Sequence, residues 1–207
     1  MSGFKPIESL QVVDSLGISK TVFSHVSNLH HLLVDWERYR KNGTKICEAI
    51  AALKLHECTD DYFPRQTDPL IKSLLESCLA LQNIVDGINI IKRQVDSLAI
   101  LQKSEQAVIC TWSMSMIAET VSKVYDILEN EICLKNTIAE NIAHCRDENV
   151  MEVYVKAWEI ENYNVEISAY LFADVGLPGL TSESLTEHVA RQCHTMFDTG
   201  LSTPIWV

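Results

Sequence analysis

The feature that most constrains the fold is a row of apolar residues that repeats at alternating steps of four and three between residues 70 and 98. Eight of its nine positions are apolar. This spacing places the row along one face of a continuous helix, as a narrow stripe typical of coiled-coil packing. Asp68 followed by Pro69 predicts the N-cap and first turn, so we expect a helix over about 68–103. The row consists of Leu70, Leu74, Ser77, Leu81, Ile84, Ile88, Ile91, Val95 and Leu98.

Three further segments carry apolar residues at helical spacing. The first predicts a helix over 19–57 that is kinked at Asn42-Gly43, with two shorter helices as the alternative. The others predict helices over 113–145 and 148–174. With only 7 glycines and 5 prolines, a β-sandwich or barrel with many tight turns is disfavoured. The sequence therefore predicts an all-α fold, an elongated bundle of about four long helices with coiled-coil-like packing.

The ends of the chain differ from this central part. Residues 1–18 show no sustained period and predict a flexible N-terminal arm, which leaves 19–176 as the helical bundle domain. Within 177–207, Ser184 and Glu187 match a capping box. Apolar positions at steps of four follow it, so this C-terminal tail is expected to contain one short amphipathic helix.

The charge and the cysteines exclude several classes of protein. A formal net charge of -11 disfavours direct binding to nucleic acid, whose phosphates are also negative. The one basic cluster is interpreted as a solvated helix face, with a phosphate or acidic-partner contact as the alternative; it comprises Arg38, Arg40, Lys41 and Lys45. The 7 cysteines form no CxxC pair and no apolar leader opens the chain, which predicts free thiols in a reducing compartment. No run of 18 uncharged apolar residues occurs, so no membrane association is expected.

The search for reaction chemistry finds no motif. No phosphate-binding loop, nucleophile elbow or HExxH helix is present. His31 and Asp35 lie four residues apart on one helix face, a spacing that allows two side chains to bind the same metal ion, but no third ligand is near in sequence. Glu140 has His144 at the fourth position, whereas a carboxylate-bridged metal site needs it at the third. We therefore expect neither an enzyme nor a bound metal or cofactor; a helical-bundle enzyme or metal protein is the least favoured alternative.

One stretch of the predicted third helix resembles a known family. Residues 134–144 (LKNTIAENIAH) are similar to a segment of the cyclin-dependent kinase 2-interacting protein family, whose pattern is roughly Leu-Lys-x-Thr-x-Ala-x-x-x-Ala-His. Thr111-Trp112 resembles the Thr-Trp before that family's third helix. The aromatic-rich helix that follows in the family is matched by Tyr154, Trp158 and Tyr163, and the resemblance is collinear over about residues 20–172.

This resemblance implies a non-enzymatic adaptor. The partners that it implies are a cyclin-dependent kinase, replication and checkpoint proteins, and AAA+ ATPase subunits, in genome maintenance and ribosome biogenesis. It also implies a nuclear location, possible also in the cytoplasm. The alternative is a coiled-coil structural or tethering protein of the cytoskeleton or kinetochore that self-associates through the 70–98 row; the oligomeric state stays open. The candidate partner-binding residues are Trp36, Trp112, Lys135, Thr137, His144, Tyr154, Trp158 and Tyr163, and Thr203, before Pro204, is the candidate phosphorylation site.

Overall fold

A computed structural model describes residues 8–57, 65–102, 106–109 and 112–160, of which 8–16 are described for the backbone alone. The predicted all-α bundle is confirmed. Three long helices and one shorter helix are joined by single helical turns and one small hairpin. The helices are α1 (Glu8–Ala52), α2 (Asp68–Leu101), α3 (Met114–Asn141) and α4 (Glu148–Glu159), and the strands are β1 (Ala107–Ile109) and β2 (Trp112–Ser113).

Helix α2 lies at the centre of the bundle. It packs against α1 on one side and α3 on the other, and α4 packs mainly on α1. The predicted row is its buried face: the seven positions from Leu74 to Val95 are buried, and Leu70 and Leu98 at its ends are half-buried. Ser77 is tolerated there because its hydroxyl donates to the carbonyl of Ser73 at 3.0 Å. The apolar row of α2 is therefore buried by other helices of the same chain.

Helix α1 confirms the prediction of one long helix but starts earlier than predicted. It starts at Glu8, inside the segment predicted as a flexible arm. It runs unbroken through Asn42-Gly43, so the alternative of two shorter helices is wrong. A single π-helical turn, Leu53–Glu57, ends the helical segment at its C-terminal side. Glycine lowers helix propensity by only about 1 kcal/mol, which packing of a long helix readily outweighs.

The boundaries of the other helices follow local capping. The hydroxyl of Ser113 accepts from the Met116 amide at the start of α3, and the Asp147 carboxylate accepts from the Val150 amide at 3.1 Å at the start of α4. At the start of α2 the N-cap is Thr67, one residue before the predicted Asp68.

Two features depart from the predicted pattern in this half of the chain. Helix α4 ends at Glu159, where Ile160 leaves helical geometry, whereas the prediction carried it to residue 174. The antiparallel pairing of β1 with β2 was not predicted, because five residues are too few to show an alternating pattern. The C-terminal tail, Tyr163 and Thr203 lie outside the described residues.

One helical segment of the described chain meets the length and composition criteria for a membrane span. By length and composition alone, residues 65–101 are apolar enough to cross a membrane, and 44% of the window that meets this criterion is buried inside the bundle. A buried core helix meets the same criterion, and α2 packs between two other helices. This observation is therefore weak support for a membrane span.

Candidate partner-binding surface on the fourth helix

The structure divides the predicted partner-binding residues between the core and the surface. Three of them are buried, namely Trp36, Lys135 and Trp158. Trp112 and Tyr154 are half-buried, and Thr137 and His144 are exposed. The buried members cannot meet a partner directly, so their place in the fold needs its own explanation.

The indole of Trp158 is seated directly on the backbone of α1 at Gly43. A Cβ atom added at Gly43 would lie 2.2 Å from the Cζ2 atom of that ring. The indole Nε1 donates to the Arg40 carbonyl at 3.0 Å, and the side chain is fully buried. Glycine at 43 is thus required by the close approach of α4 and not by a bend in α1.

A buried ion pair on α3 lies beside this tryptophan. Lys135 Nζ is 2.7 Å from Glu131 Oε1, and both side chains are fully buried. Lys135 also donates to the Trp158 carbonyl at 3.1 Å and lies 5.6 Å from the centre of the indole ring. Burial lowers the pKa of Lys135, and the neighbouring Glu131 carboxylate opposes that shift. The two charges that interrupt the apolar row of α3 in the sequence are therefore core residues that form an ion pair, in which Glu131 Oε2 is buried without a hydrogen-bond partner among the described residues.

Arg40 completes the contacts to the end of α4. Its guanidinium forms two 2.8 Å hydrogen bonds to the Glu37 carboxylate, and Nη1 donates to the Glu159 carbonyl at 2.7 Å. The prediction of a solvated basic face is wrong for Arg40, which is buried. Its exposed neighbours Arg38 and Lys41 do form surface ion pairs, with Asp35 and Glu37 respectively.

Together these residues form what we call the α4 clamp: Arg40, Gly43, Lys135 and Trp158. Arg40 and Lys135 bind two consecutive carbonyls at the C-terminus of α4. The last carbonyls of a helix lack intrahelical partners and carry partial negative charge, so two cations there stabilise the helix end. Lys54 does the same at the end of α3, where its Nζ donates to the Ala143 carbonyl. The clamp thus fixes a short helix that would be marginal by itself.

The face of α4 that the clamp turns outward carries an apolar row among polar residues. Val150, Val153 and Ile160 are 41%, 61% and 52% exposed, and Ala157 lies between them at steps of three and four. We call these four residues the α4 apolar row. Met151 and Trp158 form the opposite, buried face.

An exposed apolar row on a clamped helix is suited to bind protein. Such surfaces commonly mark interaction sites, because leaving several large aliphatic side chains in water is unfavourable. Tyr154, which is half-buried at the edge of the row, adds an aromatic side chain of the kind enriched at interfaces. Among the residues that the structure describes, no group of three His, Cys, Asp or Glu side chains is arranged to hold a metal ion.

Comparison with known proteins identifies several proteins of similar sequence. No family model matches the chain. It is 23% identical over 167 residues to the cyclin-dependent kinase 2-interacting protein of Xenopus laevis, which covers 70% of this chain and 81% of the relative. The protein of the same name from Bos taurus is 19% identical over 187 residues (75% and 86%). That from Homo sapiens is 22% identical over 172 residues (70% and 81%).

The chain is similar to the cyclin-dependent kinase 2-interacting proteins. The resemblance predicted from residues 134–144 is thereby confirmed. Within that stretch, Lys135 serves the clamp, whereas Thr137 and His144 face outward. The stretch that carries the resemblance therefore contains both core and surface positions.

Proposed function

We propose that this chain is a non-enzymatic helical adaptor that binds a cyclin-dependent kinase through the α4 apolar row. The observation that carries the proposal is the exposure of Val150 and Val153 on one face of α4, and of Ile160 directly after its end, while the other face of the helix is buried. The relatives, whose name states an interaction with cyclin-dependent kinase 2, indicate the partner.

The geometry of the clamp supports a role in binding. Arg40 and Lys135 hold the C-terminal carbonyls of α4, and Trp158 anchors the helix against α1. A partner that docks on the α4 apolar row therefore meets a helix that is already ordered. Less conformational entropy is lost on binding than with a helix that must fold on its partner.

The tethering alternative loses its main support. It requires the 70–98 row for self-association, but Leu81 and Ile88 in the middle of that row are fully buried under the other helices of the same chain. By the family resemblance, we extend the adaptor proposal to replication and checkpoint proteins and to AAA+ ATPase subunits in genome maintenance and ribosome biogenesis. The proposal includes a nuclear location, which imaging of the tagged full chain in its native cells tests.

The test of the central claim is a charge placed in the α4 apolar row. Val153→Asp introduces one carboxylate at a position 61% exposed, so the fold should change in stability by no more than about 0.5 kcal/mol. We expect the variant to recover about tenfold less cyclin-dependent kinase than the wild-type chain, with recovery measured by co-precipitation and mass spectrometry.

The matched control is Leu79→Asp, which places the same charge on α2 at a position 63% exposed. It should recover as much kinase as the wild type. The proposal fails if the folded wild-type chain recovers no cyclin-dependent kinase, or if both aspartate variants behave alike.

A further inference from the structure

A groove runs between the C-terminal part of α1 and α4, on a different side of α4 from the apolar row. It encloses about 320 Å³. Aliphatic side chains line its floor, where Ala51, Leu55 and Val155 are half-buried and Met151 is fully buried. The small side chain of Ala51 leaves this floor open to aliphatic side chains of a ligand. Its volume lies at the lower end of that of ligand-binding clefts.

The rim of this groove is acidic. Glu48 from α1 and Glu148 and Glu152 from α4 line it, and all three are exposed. Glu152 is paired with Lys156 at 2.5 Å, whereas Glu48 and Glu148 have no ion pair among the residues that the structure describes. His56 is the one basic side chain among the lining residues. Two carboxylates are thus available to a cationic ligand.

Two neighbouring segments of this chain, and a second copy of it, have the wrong charge to cover the groove. Residues 161–207 carry six acidic and one basic side chain, and residues 58–64, which follow α1, carry two aspartates and no base. A second copy of the chain brings a net charge of -11. Like charges placed at an acidic rim repel, so charge complementarity favours a foreign, basic occupant.

The spacing of the lining residues indicates the shape of that occupant. Both walls present residues three or four apart, such as Glu48 and Ala51 on α1 and Leu55 on the π-helical turn that follows it. The two walls are antiparallel helices, because Trp158 of α4 lies on Gly43 while Glu148 lies near His56. A groove between two antiparallel helices accepts a third helix whose side chains repeat at the same interval.

We propose that the α1–α4 groove binds a basic amphipathic helix of a protein partner. Its aliphatic row packs on Leu55, Met151 and Val155, and its lysine or arginine side chains pair with Glu48 and Glu148. This goes beyond the kinase-binding role of the α4 apolar row, because it assigns a second surface to the adaptor and a partner of defined chemistry.

Fluorescence anisotropy with the full chain tests the proposal. The probe is a labelled synthetic helix with leucines at positions i, i+4 and i+7 flanked by lysines; a second probe replaces every lysine with glutamate. We expect the lysine helix to bind, with an affinity that falls as salt is raised, and the glutamate helix not to bind. Failure of the lysine helix to bind, or equal binding of the two probes, overturns the proposal.

Two pairs of variants locate the binding. Glu48→Lys should weaken binding by about tenfold or more, whereas Glu76→Lys, the same charge change on exposed α2 surface, should change it by less than about twofold. Ala52→Tyr fills the groove from an exposed lining position and should abolish binding, while Gln94→Tyr on α2 should not. Equal effects within either pair place the peptide elsewhere and overturn the proposal.

The kinase experiment is independent of these results. A chain with Ala52→Tyr that loses the lysine helix but still recovers the kinase supports a groove separate from the α4 apolar row. A chain that recovers no kinase but binds the lysine helix refutes the kinase-binding proposal alone.

Discussion

Replacing Gly43 with alanine should destabilise the protein, although the same change stabilises most helix interiors. Alanine favours a helix over glycine by about 1 kcal/mol. Here, however, the new Cβ would lie 2.2 Å from Cζ2, 2.4 Å from Cε2 and 2.5 Å from Nε1 of Trp158. Overpacking costs about 1–3 kcal/mol, and complete loss of a buried tryptophan about 3–5 kcal/mol. A separation of 2.2 Å leaves no room for the ring, so we subtract the propensity gain from the cost of expelling the indole and expect a net loss of about 2–4 kcal/mol.

Urea unfolding followed by circular dichroism measures this difference. Gly87→Ala is the matched control, because its Cβ would meet only the flexible end of Leu32 at 3.2 Å; it should range from neutral to about 1 kcal/mol more stable. In a Trp158→Leu background, Gly43→Ala should lose its penalty, since the indole is gone. A Gly43→Ala protein as stable as wild type, or a penalty that persists without Trp158, would refute the reasoning.

Three further predictions concern buried groups. Lys135→Ala should destabilise the protein by about 3–5 kcal/mol, because it leaves the Glu131 carboxylate buried and unpaired. Joint replacement of Lys135 by Met and of Glu131 by Leu should restore most of the lost stability. Urea unfolding of both variants measures these differences. Burial raises the pKa of Glu37, but hydrogen bonds from neighbouring cations outweigh it and hold the pKa below its usual value. The stabilisation is therefore present above about pH 4.5 and is lost as pH falls through the folded pKa, so stability measured between pH 5 and 3 should fall less in Glu37→Gln. Burial raises the pKa of Cys47 to about 12, so iodoacetamide at pH 8 should label Cys133, which is exposed, well before Cys47, as peptide mapping will show; equal rates would contradict the assigned burial.

The helices could be predicted because their signals are local. The row from Leu70 to Leu98 specifies both the extent of α2 and its buried face, and Ser113 and Asp147 mark the starts of their helices as capping residues. The family resemblance also rests on local motifs. These features depend on residues no more than a few positions apart, so one sequence contains them in full.

The clamp could not be predicted, because it joins residues that are far apart in the chain. Arg40 and Glu159 are separated by 119 positions, and Lys135 bonds to a carbonyl 23 positions later. Judged from its sequence neighbours alone, Gly43 indicates a break in the helix. The presence of glycine there is explained only by the close approach of Trp158, which is distant in sequence. The rim of the groove likewise combines Glu48 of α1 with residues of α4. The helical periodicity of the sequence does not indicate that these residues lie close together.

The clamp also determines where the rest of the chain departs. Because Arg40 holds the Glu159 carbonyl, the polypeptide leaves α4 beside the interior of the 45-residue α1, and not beyond either tip of the bundle. The last described residue, Ile160, is thereby held at the flank of the molecule.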